Sequence, residues 1–314
     1  MTIGQANTEA LIAPLSLACG GFAMLALDQR ESLRAMFARA GRVPVGDDTL
    51  RRFKRQGIEI LTPHASGVLL DRPLAVTGER PAGIAPGCGL ILAADVLHHA
   101  PGGHIDFTSL DPLATPAFIE RVGAVAIKLL VIWRAGRDRA ERADLVSAFI
   151  DVARRAGVAS LVEGIVRPDG DQPWTSARQR DNAIIAAAAE FSTFRPTIYK
   201  AEVPGYSESD LSRVYAESIK MSQVVAGPWV VLSNGVRQAD FAGAVRLACE
   251  GGAHGFLAGR AIWSDVIGER DVGPALRTRS ARRLDQMVAI VEHSMRERVS
   301  GGMAGGAREE DDDG

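Results

Sequence analysis

The feature of this chain that most constrains its fold is a regular alternation of short apolar runs with amphipathic helical stretches. Eight apolar runs have the character of strands: Gly21–Leu27, Ser66–Leu70, Gly89–Ala94, Ala124–Trp133, Ala159–Val166, Thr197–Val203, Trp229–Leu232 and Gly255–Ala258. The helical stretches are clearest at Arg137–Gly157, Asp181–Ser192, Glu208–Ser222 and Arg237–Gly252. Strands that alternate with helices form a parallel sheet, and strands that are apolar throughout belong to a sheet covered on both faces.

Eight such units in a chain of 314 residues predict a single (β/α)₈ TIM barrel of the α/β class. The alternative is a doubly wound sheet, which would carry a glycine-rich phosphate loop directly after its first strand. Here the glycines, Gly20 and Gly21, precede that strand instead. We predict a lead-in segment over residues 1–19, the catalytic barrel over 20–299, and a disordered Gly-rich acidic tail over 300–314.

Charge and cysteine content narrow the classes of partner. The net charge of -2 gives no overall basic field for nucleic acid, and no apolar run reaches the roughly 20 residues that span a bilayer. The start of the chain lacks the pattern of a secretory signal. The three cysteines, Cys19, Cys88 and Cys249, are far apart and odd in number. We therefore expect a cytoplasmic protein with free thiols, and neither nucleic acid nor membrane as a partner.

Lysine is scarce in this chain: it has four lysines, whereas the other 32 basic residues are arginine. Lys54 and Lys220 lie in polar helical patterns and are predicted to be ordinary surface residues. Lys128 and Lys200 lie inside apolar strands. A desolvated lysine can lose its proton and become a nucleophile, which arginine cannot do. A buried lysine that only forms an ion pair is the alternative, but the retention of lysine favours a lysine-specific role.

Polar residues cluster where the predicted strands end, and in a barrel these ends meet at one rim. The candidates are Asp28, Gln29, Arg30, Asp71, Arg72, Asp95, Lys128, Glu163, Arg167, Lys200, Glu202, Ser233, Asn234, Gly235, Gly259 and Arg260. The last two turns each place a glycine just before a predicted helix, where free N–H groups can hold an anion. Together with the charge of Arg260, they predict a phosphate site formed by Ser233, Gly235, Gly259 and Arg260.

Lys200 is predicted to attack a ketone and form a Schiff base, because the resulting iminium withdraws electrons from an adjacent C–C bond. Burial and a second cation such as Lys128 favour the neutral amine that this reaction needs. A carboxylate must move the protons, and we favour Glu163 over Glu202 for this role. Glu202 would otherwise pair with Lys128 or Arg167. No metal site is predicted, because His98 and His99 are interpreted as loop residues.

Five segments resemble the class I aldolases of sulfoglycolysis, which cleave 6-deoxy-6-sulfofructose 1-phosphate into dihydroxyacetone phosphate and sulfolactaldehyde. These are GGFAMLALDQRESLRAMF (Gly20–Phe37), KLLVIWR (Lys128–Arg134), YKAEVP (Tyr199–Pro204), WVVLSNGV (Trp229–Val236) and GFLAGRAIW (Gly255–Trp263). A looser similarity extends to tagatose 1,6-bisphosphate aldolases. The resemblance spans residues 20–295 in order, and it implies a cytoplasmic lyase that needs no metal and no cofactor and forms a homo-oligomer.

The resemblance also implies roles for individual residues. It makes Lys200 the Schiff-base lysine, with Glu163 and Lys128 as supporting acid/base and charge. It places Ser233, Gly235, Gly259 and Arg260 at the C1-phosphate, and Asp28, Gln29 and Arg30 near the substrate's far anionic end. Two departures from the family pattern stand out. Gly164 follows Glu163 where the family commonly has proline, which predicts a looser turn, and Asn234 replaces a serine.

The expected substrate is therefore the phosphorylated sulfosugar. A sulfonate carries a single charge and needs fewer cations than a phosphate, and Gln29 beside Arg30 is compatible with that. Three alternatives remain open at this point. They are a class I aldolase for tagatose or fructose 1,6-bisphosphate, a phosphosugar isomerase that forms no imine, and an inactive barrel that senses a phosphosugar.

Overall fold

The computed structural model describes residues 3–100, 103–170 and 173–306, and it contains ten strands. They are β1 Phe22–Ala26, β2 Gly67–Asp71, β3 Gly89–Ala93, β4 Asp95–His99, β5 Ile105–Leu110, β6 Ala126–Trp133, β7 Ala159–Val166, β8 Ile198–Glu202, β9 Trp229–Leu232 and β10 Gly255–Ala258. Eight of them close into a parallel barrel in the order β1-β10-β9-β8-β7-β6-β3-β2. Each barrel strand coincides with one of the predicted apolar runs, so the prediction of a TIM barrel is confirmed.

Eleven α-helices accompany the strands. They are α1 Ile3–Ile12, α2 Glu31–Arg39, α3 Asp47–Leu61, α4 Pro116–Arg121, α5 Arg139–Ala156, α6 Ala177–Ser192, α7 Val214–Val224, α8 Gln238–Glu250, α9 Arg260–Trp263, α10 Val272–Ala275 and α11 Ala281–Gly306. Most follow a strand and cover the barrel from outside. The connection from β2 to β3 is irregular instead, and its buried Leu74 and Val76 cover the barrel there.

The barrel has one core inside and another between strands and helices, because neighbouring residues of a strand point to opposite faces. In β1, Phe22 and Met24 point inward, whereas Ala23 and Leu25 pack under the helices. The predicted lead-in segment places Leu15 against the inward cluster and so closes the amino-terminal end of the barrel. Full burial of each large apolar side chain contributes about 1.5–3 kcal/mol.

The antiparallel hairpin formed by β4 and β5 was not predicted. His98 and His99 belong to β4, so their interpretation as loop residues is wrong. They lie in a strand because the segment pairs with β5, where the ring of His98 stacks on Phe107 with centroids 4.2 Å apart. Half of this hairpin faces solvent, and its residues therefore lack the apolar run that marks the barrel strands.

The carboxy-terminal helix α11 continues to Gly306, past residue 299, where we expected the barrel to end. A helix that has already formed gains one hydrogen bond for each added residue, which lets it extend into this glycine-containing segment. The rest of the predicted tail, residues 307–314, lies outside the described residues. Within the described part of the chain, no helix combines the length and apolar character needed to cross a bilayer.

Candidate active site

The polar residues of the strand ends meet at a cavity of about 270 Å³ at the carboxyl end of the barrel. Its walls include the predicted residues Asp28, Gln29, Arg30, Lys128, Glu163, Arg167, Lys200 and Arg260. The inward apolar core lies below this charged layer. Above it, Leu130, Ile132, Ile165 and Leu232 form an apolar collar, against which Leu97 and Ile105 of the hairpin pack. A substrate that enters the cavity therefore passes an apolar ring before it reaches the charges.

Lys200 and Glu163 form an ion pair at the base of the cavity. The parallel register of β7 and β8 sets the two residues side by side, and both side chains point into the barrel. Lys200 Nζ donates to Glu163 Oε2 at 2.9 Å, with only 4% of Lys200 and 6% of Glu163 exposed. The amine on this buried strand therefore faces both a carboxylate and a cavity.

Lys128 lies at the centre of three carboxylates. Its Nζ is 2.7 Å from Asp95 Oδ2, 2.9 Å from Asp28 Oδ2 and 3.4 Å from Glu163 Oε2. Burial by itself would lower the pKa of Lys128, but the attraction of the three carboxylates outweighs burial, and its pKa is raised. Lys128 is therefore a permanent cation. Glu163 Oε2 lies between this cation and Lys200.

The Asp28-Gln29-Arg30 segment is held by the protein itself. Burial raises the pKa of Asp28, but the charges of Lys128 and Lys200 outweigh burial and hold the pKa below its usual range. Arg30 donates to Asp95 twice, to Oδ1 at 2.9 Å and to the main-chain oxygen at 2.9 Å. Gln29 Nε2 donates to Asp28 Oδ1 at 3.1 Å. Both charges predicted to face the substrate's far anion are thus neutralised by neighbouring side chains.

Glu202 does not pair with Lys128 or Arg167, contrary to the interpretation drawn from the sequence. Its Oε2 accepts the Val166 N–H at 2.9 Å, and its Oε1 accepts hydrogen bonds from Arg180 at 3.0 Å and Asn234 at 3.1 Å. Arg180 was missed because it lies in α6 rather than at a strand end. With every oxygen engaged, Glu202 acts as a clamp between the barrel and α6, which leaves Glu163 as the carboxylate nearest Lys200.

The two predicted phosphate turns lie side by side. Ser233 Oγ accepts the Ala261 N–H at 3.5 Å, which joins the turn after β9 to the turn after β10. Gly235 has a φ of +73°, and a Cβ at Gly259 would collide with the Ala26 carbonyl, so both positions require glycine. Arg260 donates to Asn234 Oδ1 at 2.6 Å, and burial lowers the pKa of this guanidinium.

Two arginines at the cavity have no carboxylate partner within ion-pair distance in the described parts of the chain. They are Arg260 and Arg167, and Arg167 donates to the Val166 carbonyl at 3.0 Å. Burial lowers the pKa of Arg167. The attraction of Glu202 opposes this effect, whereas the nearby positive charges of Arg134, Arg180 and Arg260 add to it. A partly buried cation without an ion-pair partner is unfavourable, and an anionic ligand would supply that partner.

The position after Glu163 is not a turn. Gly164 lies within β7 and pairs with Val131 on one side and Ala201 on the other, so the prediction of a looser turn is wrong. A Cβ at Gly164 would collide with the hydroxyl of Tyr199, a side chain that is buried in the core between the strands and the helices. Glycine is present because the tyrosine ring occupies that space, and the backbone beneath Glu163 is regular strand.

This arrangement suits covalent chemistry on a carbonyl compound. It combines a buried amine, a carboxylate at hydrogen-bond distance from the amine, and a fixed cation that stabilises the carboxylate. The cavity above the amine admits a small molecule, and the unpaired arginines favour an anionic one. Among the described residues, no group of three or more His, Cys, Asp or Glu side chains has the arrangement of a metal site.

Comparison with known proteins places these residues in context. The model of the DeoC/LacD family aldolases matches residues 22–265 of the chain. Tagatose 1,6-diphosphate aldolase of Staphylococcus haemolyticus is 25% identical over 90% of this chain and 95% of its own length. Tagatose 1,6-diphosphate aldolase 1 of Streptococcus pyogenes is 26% identical over 88% of this chain and 92% of its own length.

Solved structures share the fold. A fructose-bisphosphate aldolase from Plasmodium falciparum superimposes with a TM-score of 0.71 at 15% identity, over 91% of this chain and 94% of that one. An archaeal fructose 1,6-bisphosphate aldolase superimposes with a TM-score of 0.62 at 15% identity, over 91% and 99%. These matches establish the barrel.

Proposed function

Because the chain belongs to the DeoC/LacD family of aldolases, we propose that it is a class I aldolase whose Schiff-base lysine is Lys200. The chain is thus a lyase, and the proposal concerns its mechanism and substrate. The observation that carries it is the contact of 2.9 Å between Lys200 Nζ and Glu163 Oε2 at the base of the cavity. An aldolase of this class needs such a buried amine with an adjacent group that accepts and returns protons.

The reaction follows from this geometry. Glu163 takes a proton from Lys200, and the neutral amine adds to the ketone carbon to give a carbinolamine. Glu163 returns that proton to the carbinolamine oxygen and then transfers a second proton from the nitrogen to the same oxygen, which leaves as water and forms the iminium. The C3–C4 bond breaks as its electron pair moves into the iminium, and the C4 hydroxyl gives its proton to Glu163, which is again a carboxylate, as the aldehyde forms. Protonation of the enamine at C3 and hydrolysis release the second product.

Lys128 has a separate role in this scheme. It remains charged throughout, because Asp28, Asp95 and Glu163 surround it. This fixed cation lies 3.4 Å from Glu163 Oε2 and attracts the negative charge of the carboxylate. The same carboxylate is the counter-charge of the positively charged iminium that forms later. Lys128 therefore supplies a fixed positive charge beside the base and does not react with substrate itself.

The substrate we propose is a ketose 1,6-bisphosphate of the tagatose or fructose type, cleaved to dihydroxyacetone phosphate and glyceraldehyde 3-phosphate. The support is the naming of the two relatives as tagatose 1,6-diphosphate aldolases, together with two unpaired arginines at the cavity. The C1-phosphate would lie at the turns after β9 and β10, where Ser233, Gly235, Gly259 and Arg260 converge. Arg167 would contribute to the positive charge of the mouth.

A second candidate is 6-deoxy-6-sulfofructose 1-phosphate, the substrate favoured by the sequence motifs. One observation supports it: Asp95 neutralises Arg30, so the donors nearby include neutral groups such as Gln29 and Ser32. The sulfoglycolytic substrate stays a prediction, and the bisphosphate has the stronger support. The homo-oligomer and the cytoplasmic location also stay predictions.

A substrate panel tests this proposal. The value of kcat/KM would be measured with tagatose 1,6-bisphosphate, fructose 1,6-bisphosphate and 6-deoxy-6-sulfofructose 1-phosphate, each with and without a chelator. We expect cleavage of a bisphosphate, with no effect of the chelator and a lower kcat/KM for the sulfosugar. A preference for the sulfosugar would replace the substrate. Interconversion of phosphosugars without C–C cleavage would identify an isomerase and overturn the proposal.

A further inference from the structure

The proposed substrate carries an anionic group at each end, and the far end needs a partner across the mouth of the barrel. The C1-phosphate turns follow β9 and β10. In the closed order of the barrel, β3 and β6 lie four positions away from β9 and β10, on the opposite side. The connection from β3 to β6 contains the β4–β5 hairpin, followed by helix α4. A substrate held at its C1-phosphate and extended across the mouth therefore points its far end toward this hairpin.

One face of the hairpin forms a wall of the cavity. Side chains alternate along a strand, so Asp95, Leu97 and His99 share one face of β4. Asp95 contacts Lys128 and Arg30, Leu97 packs on the apolar collar, and His99 lines the cavity. His104, which precedes β5, lines the cavity as well. Along this face, from the base of the cavity to the rim, the side chains are thus the charged Asp95, the apolar Leu97 and then His99.

The other face of β4 points away from the cavity. His98 Nε2 lies 2.9 Å from Ser109 Oγ, and its ring stacks on Phe107. His98 is absent from the cavity wall, although it is adjacent to His99 in sequence. Of the three histidines of this region, His99 and His104 therefore line the cavity, whereas His98 makes its contacts within the hairpin.

The residues that the resemblance assigns to the far anion do not serve this purpose in the structure. Asp28 pairs with Lys128, and Arg30 donates its two terminal nitrogens to Asp95. Release of Arg30 toward a ligand would leave the buried Asp95 with fewer hydrogen bonds, which is unfavourable. The histidines at the rim, in contrast, are exposed, and neither makes an ion pair within the described ranges of the chain.

We infer that His99 and His104 form the subsite for the second anionic group of the substrate. A neutral imidazole donates one hydrogen bond and a protonated imidazole donates two, so both forms recognise phosphate or sulfonate oxygens. The inference rests on the proposed function, because the C1-phosphate turns and Lys200 fix where the far end lies. It assigns recognition of the far group to the hairpin, which the sequence motifs do not include.

Variants of the three histidines test this inference. His99→Ala, His104→Ala and the double variant would be compared with His98→Ala as the matched control on the opposite face. Each would be assayed with tagatose 1,6-bisphosphate, with 6-deoxy-6-sulfofructose 1-phosphate, and with fructose 1-phosphate, which lacks the far anion. Loss of a hydrogen bond to a charged group raises KM about tenfold per residue. We expect this rise with whichever doubly anionic ketose is cleaved, and kcat within about twofold of the parent chain.

The substrate without the far anion separates recognition from a general effect on the hairpin. With fructose 1-phosphate, the KM of His99→Ala and His104→Ala should equal that of the parent chain. An unchanged KM for the doubly anionic substrate in the double variant would overturn the inference. An equal rise in KM for His98→Ala would also overturn it, because the effect would then come from the hairpin's stability.

A further measurement separates this inference from the proposed function. Borohydride reduction with dihydroxyacetone phosphate alone requires only Lys200 and the C1-phosphate turns. If the double variant is trapped on Lys200 as efficiently as the parent chain and shows the rise in KM, both proposals hold. Normal trapping without any rise in KM would refute the histidine subsite alone. Loss of trapping in the parent chain would refute the Schiff base itself.

Discussion

Two buried lysine–carboxylate pairs lie near the same end of the barrel, and they differ in what surrounds them. Lys54 of α3 bonds to Asp71 at the end of β2, and it donates to the Leu27 carbonyl at 2.8 Å. Asp71 also accepts the Leu74 N–H at 3.0 Å. Only 1% of Lys54 and none of Asp71 is exposed, so the prediction that Lys54 is an ordinary surface residue is wrong. Lys200 and Glu163 are buried almost as deeply, but they line a cavity.

The comparison indicates which of the two buried lysines a substrate can reach, and the proposed function depends on that difference. Burial lowers the pKa of Lys54 and raises that of Asp71, each against the attraction of its partner. The protein supplies the hydrogen-bond partners of the Lys54–Asp71 pair, and the pair joins α3 to the barrel. Lys200 has a carboxylate on one side and open space on the other, where a carbonyl carbon can approach. In the proposed function, this accessible side of the amine distinguishes the Lys200–Glu163 pair from the structural Lys54–Asp71 pair.

The largest effect should come from Lys200→Arg. Arginine keeps the positive charge but cannot act as a nucleophile, so we expect kcat to fall by at least about 10⁴-fold. The control is Lys220→Arg, because Lys220 is exposed and pairs only with Glu217, and this variant should keep full activity. Steady-state cleavage assays compare the two. Retention of turnover in Lys200→Arg would show that the amine is not the nucleophile.

The next effect concerns two inward carboxylates on neighbouring strands, Glu163 of β7 and Glu202 of β8. Glu163→Gln removes the group that moves protons to and from Lys200 and should lower kcat by about 10²–10⁴-fold with little change in KM. Glu202→Gln weakens the clamp to Arg180 and should lower kcat by less than about tenfold. Parallel kinetics of the two variants check this. A larger loss for Glu202→Gln would transfer the acid/base role to Glu202.

The next prediction concerns the free energy of unfolding, which should fall when the structural Lys54–Asp71 pair is broken. Lys54→Met leaves Asp71 as an unpaired buried carboxylate, which costs about 3–5 kcal/mol in the free energy of unfolding. The double variant Lys54→Met/Asp71→Leu should recover much of that loss. Urea denaturation gives both values. We expect kcat of the folded single variant to stay within about threefold of the parent, and a loss like that of Lys200→Arg would contradict the comparison.

The smallest effect concerns His254, a partly buried group that lies outside the cavity wall and has no ion-pair partner among the described residues. Burial, with a minor contribution from Arg298, lowers the pKa of His254 to about 4. Above the unfolded-state pKa of about 6.5, neither state holds the proton and the full stability is present. As the pH falls from about 6.5 to 4, only the unfolded state gains a proton, so stability declines by up to about 3 kcal/mol.

His254→Phe should remove this part of the pH dependence. Urea denaturation of the parent and the variant at several pH values between about 4 and 7 measures the difference in slope. An identical slope in the two proteins would show that other groups cause the acid sensitivity. Activity should not distinguish the two proteins at neutral pH, because His254 lies outside the cavity wall.

The barrel was predictable because its strands are buried on both faces and therefore apolar throughout. The residues at the strand ends followed from the same reasoning, since the carboxyl ends of parallel strands meet at one rim. Lys200 and Glu163 were brought together as expected. The ion-pair partner of each charged residue was not predictable, because it depends on the conformations of long side chains and on residues from other elements. Glu202, for example, extends to Arg180 on α6.

The burial of Lys54 could have been predicted from the sequence. The buried face of α3 consists of Leu50, Phe53, Lys54, Gly57, Ile58 and Leu61, which are spaced as one side of a helix. Lys54 occupies an apolar position in that pattern, so its burial had a signal, although its partner Asp71 did not. The β4–β5 hairpin had weaker signals, because its strands are short, half exposed and rich in histidine and threonine.

Covalent trapping tests the central claim most directly. The protein would be incubated with dihydroxyacetone phosphate, reduced with borohydride and digested, and the mass of each peptide that contains one of the four lysines would be measured. We expect one adduct per chain, on Lys200, with none on Lys54, which is also buried. An adduct on Lys54 or Lys128, or turnover without any trapped lysine, would contradict the claim that the accessible pair is the catalytic one.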